Sequence, residues 1–254
     1  MKKQNPKILL LDIETAPLLA YVWRLWAIDS IGANQIKSDW YILSWSAKWL
    51  GKDKVFYADQ RNAKDIENDA PILEKLWTLM DEADIIVGHN LDKFDIKKLN
   101  TRFLMGGLQP PSGYLTHDTL KMAKKKFAFT SNRLSYLTDK LCKTFKKDSH
   151  AKYSGFELWS ECIKGNKSAW KEMEKYNKMD VLSLEELYHI LLPWDSTINF
   201  TVFNGECSCG STEFVSNGLK YKKAGVYRRL RCKHCGKEYH EKQNLMDKDQ
   251  KIRS

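Results

Sequence analysis

The stretch "KILLLDIETAP", Lys7 to Pro17, decides how the chain is read. Ile8, Leu9, Leu10, Leu11 and Ile13 form the apolar run of a buried strand, yet Asp12 and Glu14 interrupt it. Side chains alternate along a strand, so residues two apart share a face. Asp12 and Glu14 therefore point the same way at the end of an apolar element. Neighbouring carboxylates repel and resist burial unless positive charge lies between them. They are either the exposed end of a strand or one half of a cation site, and the rest of the chain decides between these.

At 254 residues with 43% hydrophobic content and nine Trp, there is room for one sizeable α/β domain plus a small appendage. No apolar run approaches the roughly 20 residues of a membrane span, and nothing resembles a signal peptide, so a soluble cytoplasmic protein with no membrane partner is expected. The formal net charge is +10. The excess is concentrated: Gly205 to Ser254 holds twelve Lys and Arg against six Asp and Glu, and Asp118 to Asp148 holds nine against three. Such local excess suits a polyanion, most simply nucleic acid.

Around the first strand, Tyr41 to Trp49 and Lys54 to Tyr57 read as two more strands joined by a hairpin turn at Gly51-Lys52-Asp53. The long connection from Ala16 to Trp40 carries Tyr21, Trp23, Trp26 and Trp40, which can stack on bases or pack. Ala70 to Asp81 has helical periodicity with Pro71 in its first turn. "DIIVGHN" reads as a short buried strand, and "LDKFDIKKLNTRFLMGG" as a helix ending at Gly106-Gly107. Further helices are expected over Asp118 to Phe127 and Asn132 to Phe145, then a loop "KKDSHAKYSG" and a long helix from about Ser168 to Leu192. The order describes a mixed sheet covered on both faces.

Two more acids fall where acids are rare. The last helix runs an apolar stripe through Trp170, Met173, Leu184, Leu187 and Leu191. Between Met173 and Leu184 that stripe crosses Tyr176, Asn177 and Asp180, with Tyr176 one turn before Asp180 on the same face. A buried ionised Asp needs a cation, an ion pair or strong donors. In "GHNLDKFDI", Asn90 closes a strand and Asp95 falls in the first turn of the next helix, where the helix dipole alone would favour an acid.

Taken in order, "LLDIET", "GHNLDKFD" and "YNKMD" resemble the three motifs of the DEDD superfamily of 3′→5′ exonucleases, in its tyrosine variant. Within that variant the motifs resemble particularly the proofreading domain of family B DNA polymerases. The resemblance covers about residues 7 to 192 and implies an RNase H-like fold. It implies two Mg²⁺ or Mn²⁺ ions held by Asp12, Glu14, Asp95 and Asp180, Tyr176 orienting the attacking water, and Asn90 near the terminal nucleotide. Lys124 and Lys125 would contact the phosphate backbone. His89, His117 and Asp118 read as structural residues.

The last fifth of the chain carries "CSCG" and "CKHC" around a basic, β-rich stretch. Cys207, Cys209, Cys232 and Cys235 are similar to the ligands of a zinc ribbon holding one structural Zn²⁺, although the first knuckle is Cys-x-Cys, which leaves His234 and His240 as substitute ligands. Arg228, Arg229 and Arg231 suggest DNA contact, with a purely structural or protein-docking ribbon as the alternative. The expected architecture is thus α/β, an RNase H-like mixed sheet flanked by helices over 1–195, with a small β-rich zinc ribbon over 205–245 and a basic polar tail over 246–254. The expected activity is metal-dependent 3′→5′ hydrolysis of single-stranded DNA ends, with replication, repair or recombination proteins as further partners in a bacterial or phage-infected cell. An exoribonuclease, an inactive nucleic-acid-binding protein and a structure-specific endonuclease are the rival expectations.

Overall fold

The computed structural model describes residues 6–24, 26, 30–145, 153–195, 205–222 and 225–246. Strand β1, Ile8–Thr15, is followed by the short strands β2, Leu19–Ala20, and β3, Ile36–Ser38. Then come β4, Ile42–Trp49, β5, Val55–Asp59, helix α1, Ala70–Asp81, and β6, Ile85–Gly88. Helix α2 is Asp95–Met105, β7 is Leu115–Asp118, and α3, α4 and α5 are Thr119–Lys126, Leu134–Leu141 and Glu157–Ile163. The long helix α6, Lys167–Leu191, precedes the strands β8, Phe214–Lys222, β9, Gly225–Cys232, and β10, Glu238–Asn244.

The chain divides into two units, one of Lys7–Leu187 and one of Tyr188–Ser254 with Met1–Pro6. In the first, a five-stranded sheet has the order β5-β4-β1-β6-β7. β1 runs antiparallel to β4 and parallel to β6, and β6 runs parallel to β7. The alternation of β1 sorts its residues cleanly. Leu9, Leu11 and Ile13 join a core with Leu73, Leu76 and Met80 of α1 and Leu99 and Phe103 of α2. On the opposite face, Leu43 packs with Leu158 of α5 and with Trp170, Met173 and Tyr176 of α6. Asp12 and Glu14 belong to that second face, so a carboxylate on the buried side of α6 meets them.

Three local differences from the sequence expectations have physical causes. β7 was not expected: it has four residues, and its one large apolar side chain, Leu115, is exposed. Helix α4 stops at Leu141 rather than Phe145, because Cys142 is extended and the backbone N–H groups of Lys143 and Phe145 donate to the Glu186 carboxylate at 2.6 and 2.8 Å. Helix α5 is too short to display a periodicity in the sequence. Residues 146–152 of the expected loop, and 247–254 of the tail, lie outside the described residues.

The second unit holds an antiparallel sheet, β10-β9-β8. Its core is small: Cys207, Cys232 and Tyr239 are buried, with Phe214, Leu230 and Cys235 packed against them. Among the described residues no helix is long and apolar enough to cross a membrane.

Candidate active site and cysteine cluster

The site is built where β1 outruns one of its neighbours. Pairing of β1 with β6 extends only from Ile8 to Leu10. Past that point the backbone N–H of Ile13 has no strand partner on this side, and a buried donor must find one. Asp95, at the first residue of α2, supplies it: Oδ1 accepts from Ile13 N at 3.2 Å. The second-motif acid thus grips the backbone link between Asp12 and Glu14.

Asp12, Glu14 and Asp180 form the cluster proper, each offering a carboxylate oxygen within 4.8 Å of the others. Asp180 is buried and the other two are half-buried. Asp95 lies outside this group of three. It is fully buried, and that burial, opposed by the hydrogen bonds at Asp95 and Ile13 and reinforced by the charge of Asp118, pushes its carboxyl up to about 7. In metal-free protein the linkage has a definite sign. Between pH 4 and 7 the native Asp95 holds a proton that the unfolded chain has released, so stability falls as pH rises through this window. Asp95→Asn should flatten the fall, checked by urea unfolding of both proteins across this pH range in chelator.

Two side chains orient the cluster from positions no motif marks. Asn177, one residue after Tyr176, donates from Nδ2 to Asp12 Oδ2 at 2.5 Å, while its Oδ1 accepts from Ser44 at 3.3 Å. Ser44 lies on β4 directly across from Glu14. Trp159 of α5 donates its indole N–H to Glu14 Oε2 at 3.0 Å. Asn177 was legible as a polar residue on a buried stripe. Trp159 left no signal, being 145 residues from its partner.

Tyr176 is buried and meets the Trp159 ring edge-on, with centroids 6.1 Å apart. Burial first, then the charges of Asp180, Glu14 and Asp12, and finally a hydrogen bond to Asp180 hold its phenol far above the usual range. Tyr176 therefore keeps its proton and acts as a donor, not a base.

The remaining expected residues fall nearby or elsewhere. Asn90 follows β6 in the left-handed region, φ 66°, which Asn tolerates better than most residues. Its N–H donates to Asp118 Oδ1 at 2.9 Å, and the same oxygen caps α3 through Leu120 N at 2.9 Å. Asp118 is thus the anchor of the second-motif turn. His89 bonds Thr119 and the Asn132 carbonyl, both at 2.9 Å, and His117 is buried in β7. Lys124 and Lys125 are exposed in the last turn of α3, where the helix dipole also favours cations. Arg229 donates to the Asn217 carbonyl at 2.6 Å and lies 3.6 Å from Glu238, and Arg228 lies 3.9 Å from Glu241, so both arginines also serve the sheet of the second unit.

In that unit Cys207, Cys209, Cys232 and Cys235 converge, with Sγ–Sγ separations of 3.3 Å for Cys207–Cys235 and 3.7 Å for Cys209–Cys232. Each cysteine pair sits on a tight turn. Gly210 N bonds Cys207 O at 2.8 Å and Gly236 N bonds Cys232 O at 3.0 Å, with Gly210 and Gly236 at φ 85° and 76°, where glycine carries no Cβ penalty. His240 bonds the Glu241 carbonyl and Lys222, and neither it nor His234 belongs to the four-sulfur group.

Both donor sets fit a metal by their chemistry. Three hard carboxylate oxygens at this spacing suit a Mg²⁺-like ion. Four thiolates about 3.8 Å apart are what a tetrahedral Zn–S distance of about 2.3 Å requires.

Comparison with known proteins agrees with the architecture. A model of the RNase H superfamily matches residues 35–192. Among solved structures, the family B DNA polymerase from the hyperthermophilic archaeon Pyrobaculum calidifontis is similar, with a TM-score of 0.50 at 15% identity over 75% of this chain. The match spans about 25% of that polymerase, so the likeness is one of fold over a part of it. No curated protein matches the chain. The chain belongs to the RNase H superfamily.

Proposed function

We propose that this protein is a metal-dependent 3′→5′ exonuclease that removes nucleoside 5′-monophosphates from single-stranded DNA ends. The observation that carries this is the convergence of Asp12, Glu14 and Asp180 beneath a protonated Tyr176. Asp12, Glu14 and Asp180 would hold divalent Mg²⁺ or Mn²⁺, with Asp95 joining through water at a second position. When bound, two such ions would supply charge neutralisation for the attacking and leaving oxygens and would lower the pKa of the attacking water.

The chain's own residues do the rest. Asn177 fixes one oxygen of Asp12 and Trp159 one oxygen of Glu14, leaving each carboxylate a defined remaining donor. Tyr176, whose O–H bonds Asp180 in the metal-free site, would orient the water by hydrogen bond. Asn90 would sit beside the terminal nucleotide, with Lys124 and Lys125 on phosphates. We further infer a domain division into 1–195 for the nuclease and 205–245 for a ribbon closed by one Zn²⁺, with Arg228 and Arg229 of the ribbon facing nucleic acid.

The decisive assay uses 5′-labelled single-stranded DNA and RNA of one sequence, and a circular single strand. A ladder shortening from the 3′ end, DNA ahead of RNA and the circle intact, is the expected result. Cleavage of the circle would overturn the exonuclease assignment.

Trp159→Phe keeps the ring against Tyr176 but removes the donor to Glu14. It should weaken divalent binding about 10- to 100-fold, read by titration calorimetry with Mn²⁺ independently of turnover. Unchanged affinity would make Trp159 a packing residue only.

A further inference from the structure

Among the described residues of the 16–40 excursion, most large apolar side chains ahead of Trp40 lie outside. Tyr21, Trp23 and Trp26 are 67%, 99% and 82% exposed, and Leu18, Leu19, Val22, Ile31 and Ile36 are exposed with them. Exposed apolar groups at this density mark an interaction surface.

The excursion is held by hydrogen bonds rather than by burial of those side chains. β2 pairs with β3 through Leu19–Ser38 and Ala20–Ile36. Beyond the pairing, Tyr21 N donates to the Gln35 carbonyl, and the Gln35 amide donates back to the Tyr21 carbonyl, both at 2.9 Å. Gln35 Oε1 also accepts from Gly32 N at 2.9 Å. A ribbon stitched in this way needs no apolar core, so its rings are presented rather than tucked in. Trp40 behaves otherwise: it packs on the core beside α1 and α2, with Lys98 over its ring at 3.5 Å.

The ribbon's foot is the active-site end of the sheet. Ala16 N bonds Tyr41 O at 2.8 Å, closing the excursion two register steps from the Glu14–Ser44 pair. Tyr21 lies seven residues beyond Glu14, at most about 25 Å along an extended chain, the length of about seven stacked nucleotides. In "YVWRLW" the exposed rings are interleaved with the exposed Arg24. Aromatic faces with cations between them are what single strands use when bound without sequence preference.

We propose that the β2–β3 ribbon is a stacking platform for the bases of the single strand whose 3′ end enters the Asp12–Glu14–Asp180 site. It rests on the exonuclease assignment above and names how that substrate is engaged. Tyr21, Trp23 and Trp26 supply sequence-tolerant contact, which an enzyme consuming successive nucleotides requires.

The test measures anisotropy of a fluorescein-labelled oligothymidylate with full-length Asp12→Asn protein, which holds but does not cut the strand. The same protein also carrying Trp23→Ala and Trp26→Ala is expected to bind about 5- to 100-fold more weakly. The dependence of log affinity on log salt should keep its slope, because phosphate contacts are untouched. Trp23→Phe with Trp26→Phe should recover most of the loss. If the alanine variant binds as tightly as its parent, the platform is overturned, the exonuclease assignment stands and the ribbon is left to a protein partner. If the parent itself binds no single strand, the platform falls together with the assignment.

Discussion

Asp12→Asn is expected to lower the rate of phosphodiester hydrolysis about a thousandfold or more while raising the melting temperature of the metal-free protein. The two effects have one cause. Asp12, Glu14 and Asp180 crowd three like charges into a half-buried space, and without a cation they destabilise the fold that carries them. An amide keeps an acceptor for Asn177 Nδ2, so the buried bond survives while one charge goes. Relief of roughly 1 kcal/mol would show as about 2–4 °C. The lost rate reflects several kcal/mol of charge stabilisation that the residue helps to hold in place. Millimolar Mg²⁺ or Mn²⁺ should raise the melting temperature of wild type, by binding the native state alone, and leave Asp12→Asn nearly unmoved. An Asn variant that cuts at the wild-type rate, or keeps the full divalent-induced shift, would remove Asp12 from the site.

The second large effect concerns the cysteine cluster. Stripping the proposed Zn²⁺ with a strong chelator, or replacing Cys232 by Ser, should melt the β8–β9–β10 sheet while the Lys7–Leu187 unit keeps its fold. Among the described residues, the buried apolar core of this sheet apart from the cysteines is Tyr239, against which the Phe214 ring packs edge-on at 5.6 Å. So little apolar area cannot offset the entropy of ordering its strands. A four-thiolate Zn²⁺ site contributes about 10–16 kcal/mol in small metal-folded domains. The measurement is an amide-resolved NMR spectrum before and after chelation, with the released zinc titrated against a colorimetric ligand. One zinc per chain and collapse of the resonances of β8, β9 and β10 are expected. A sheet indifferent to chelation would show that Tyr239 and its neighbours suffice.

Much of this protein could be read from the chain because the decisive features are local and periodic. The period of two along β1 put Asp12 and Glu14 on one face. The period of 3.6 along α6 put Tyr176, Asn177 and Asp180 on its buried stripe, and the cysteine spacing marked the second unit. Each of these follows from backbone geometry that a single segment already contains. The tertiary structure decided what each acid does. Asp95 was legible as an acid at a helix start, yet its hold on Ile13 depends on β6 stopping short of β1, which only the sheet register reveals. The indole of Trp159 reaches Glu14 only because α5 and α6 cover the same face of the sheet, a contact across 145 residues that leaves no local pattern. β7 escaped notice because a four-residue strand at the sheet edge has too few buried positions to write an alternation. The aromatic run near residue 23 was ambiguous for the opposite reason: stacking and packing demand the same side chains. Burial separates them, and in the folded chain Trp40 is half-buried against the core while Trp23 is bare. Sequence thus determined which groups share a face, because that is set by the helical and strand periods. Which groups touch was decided by register and by where each element ends, because those depend on the packing of the whole fold.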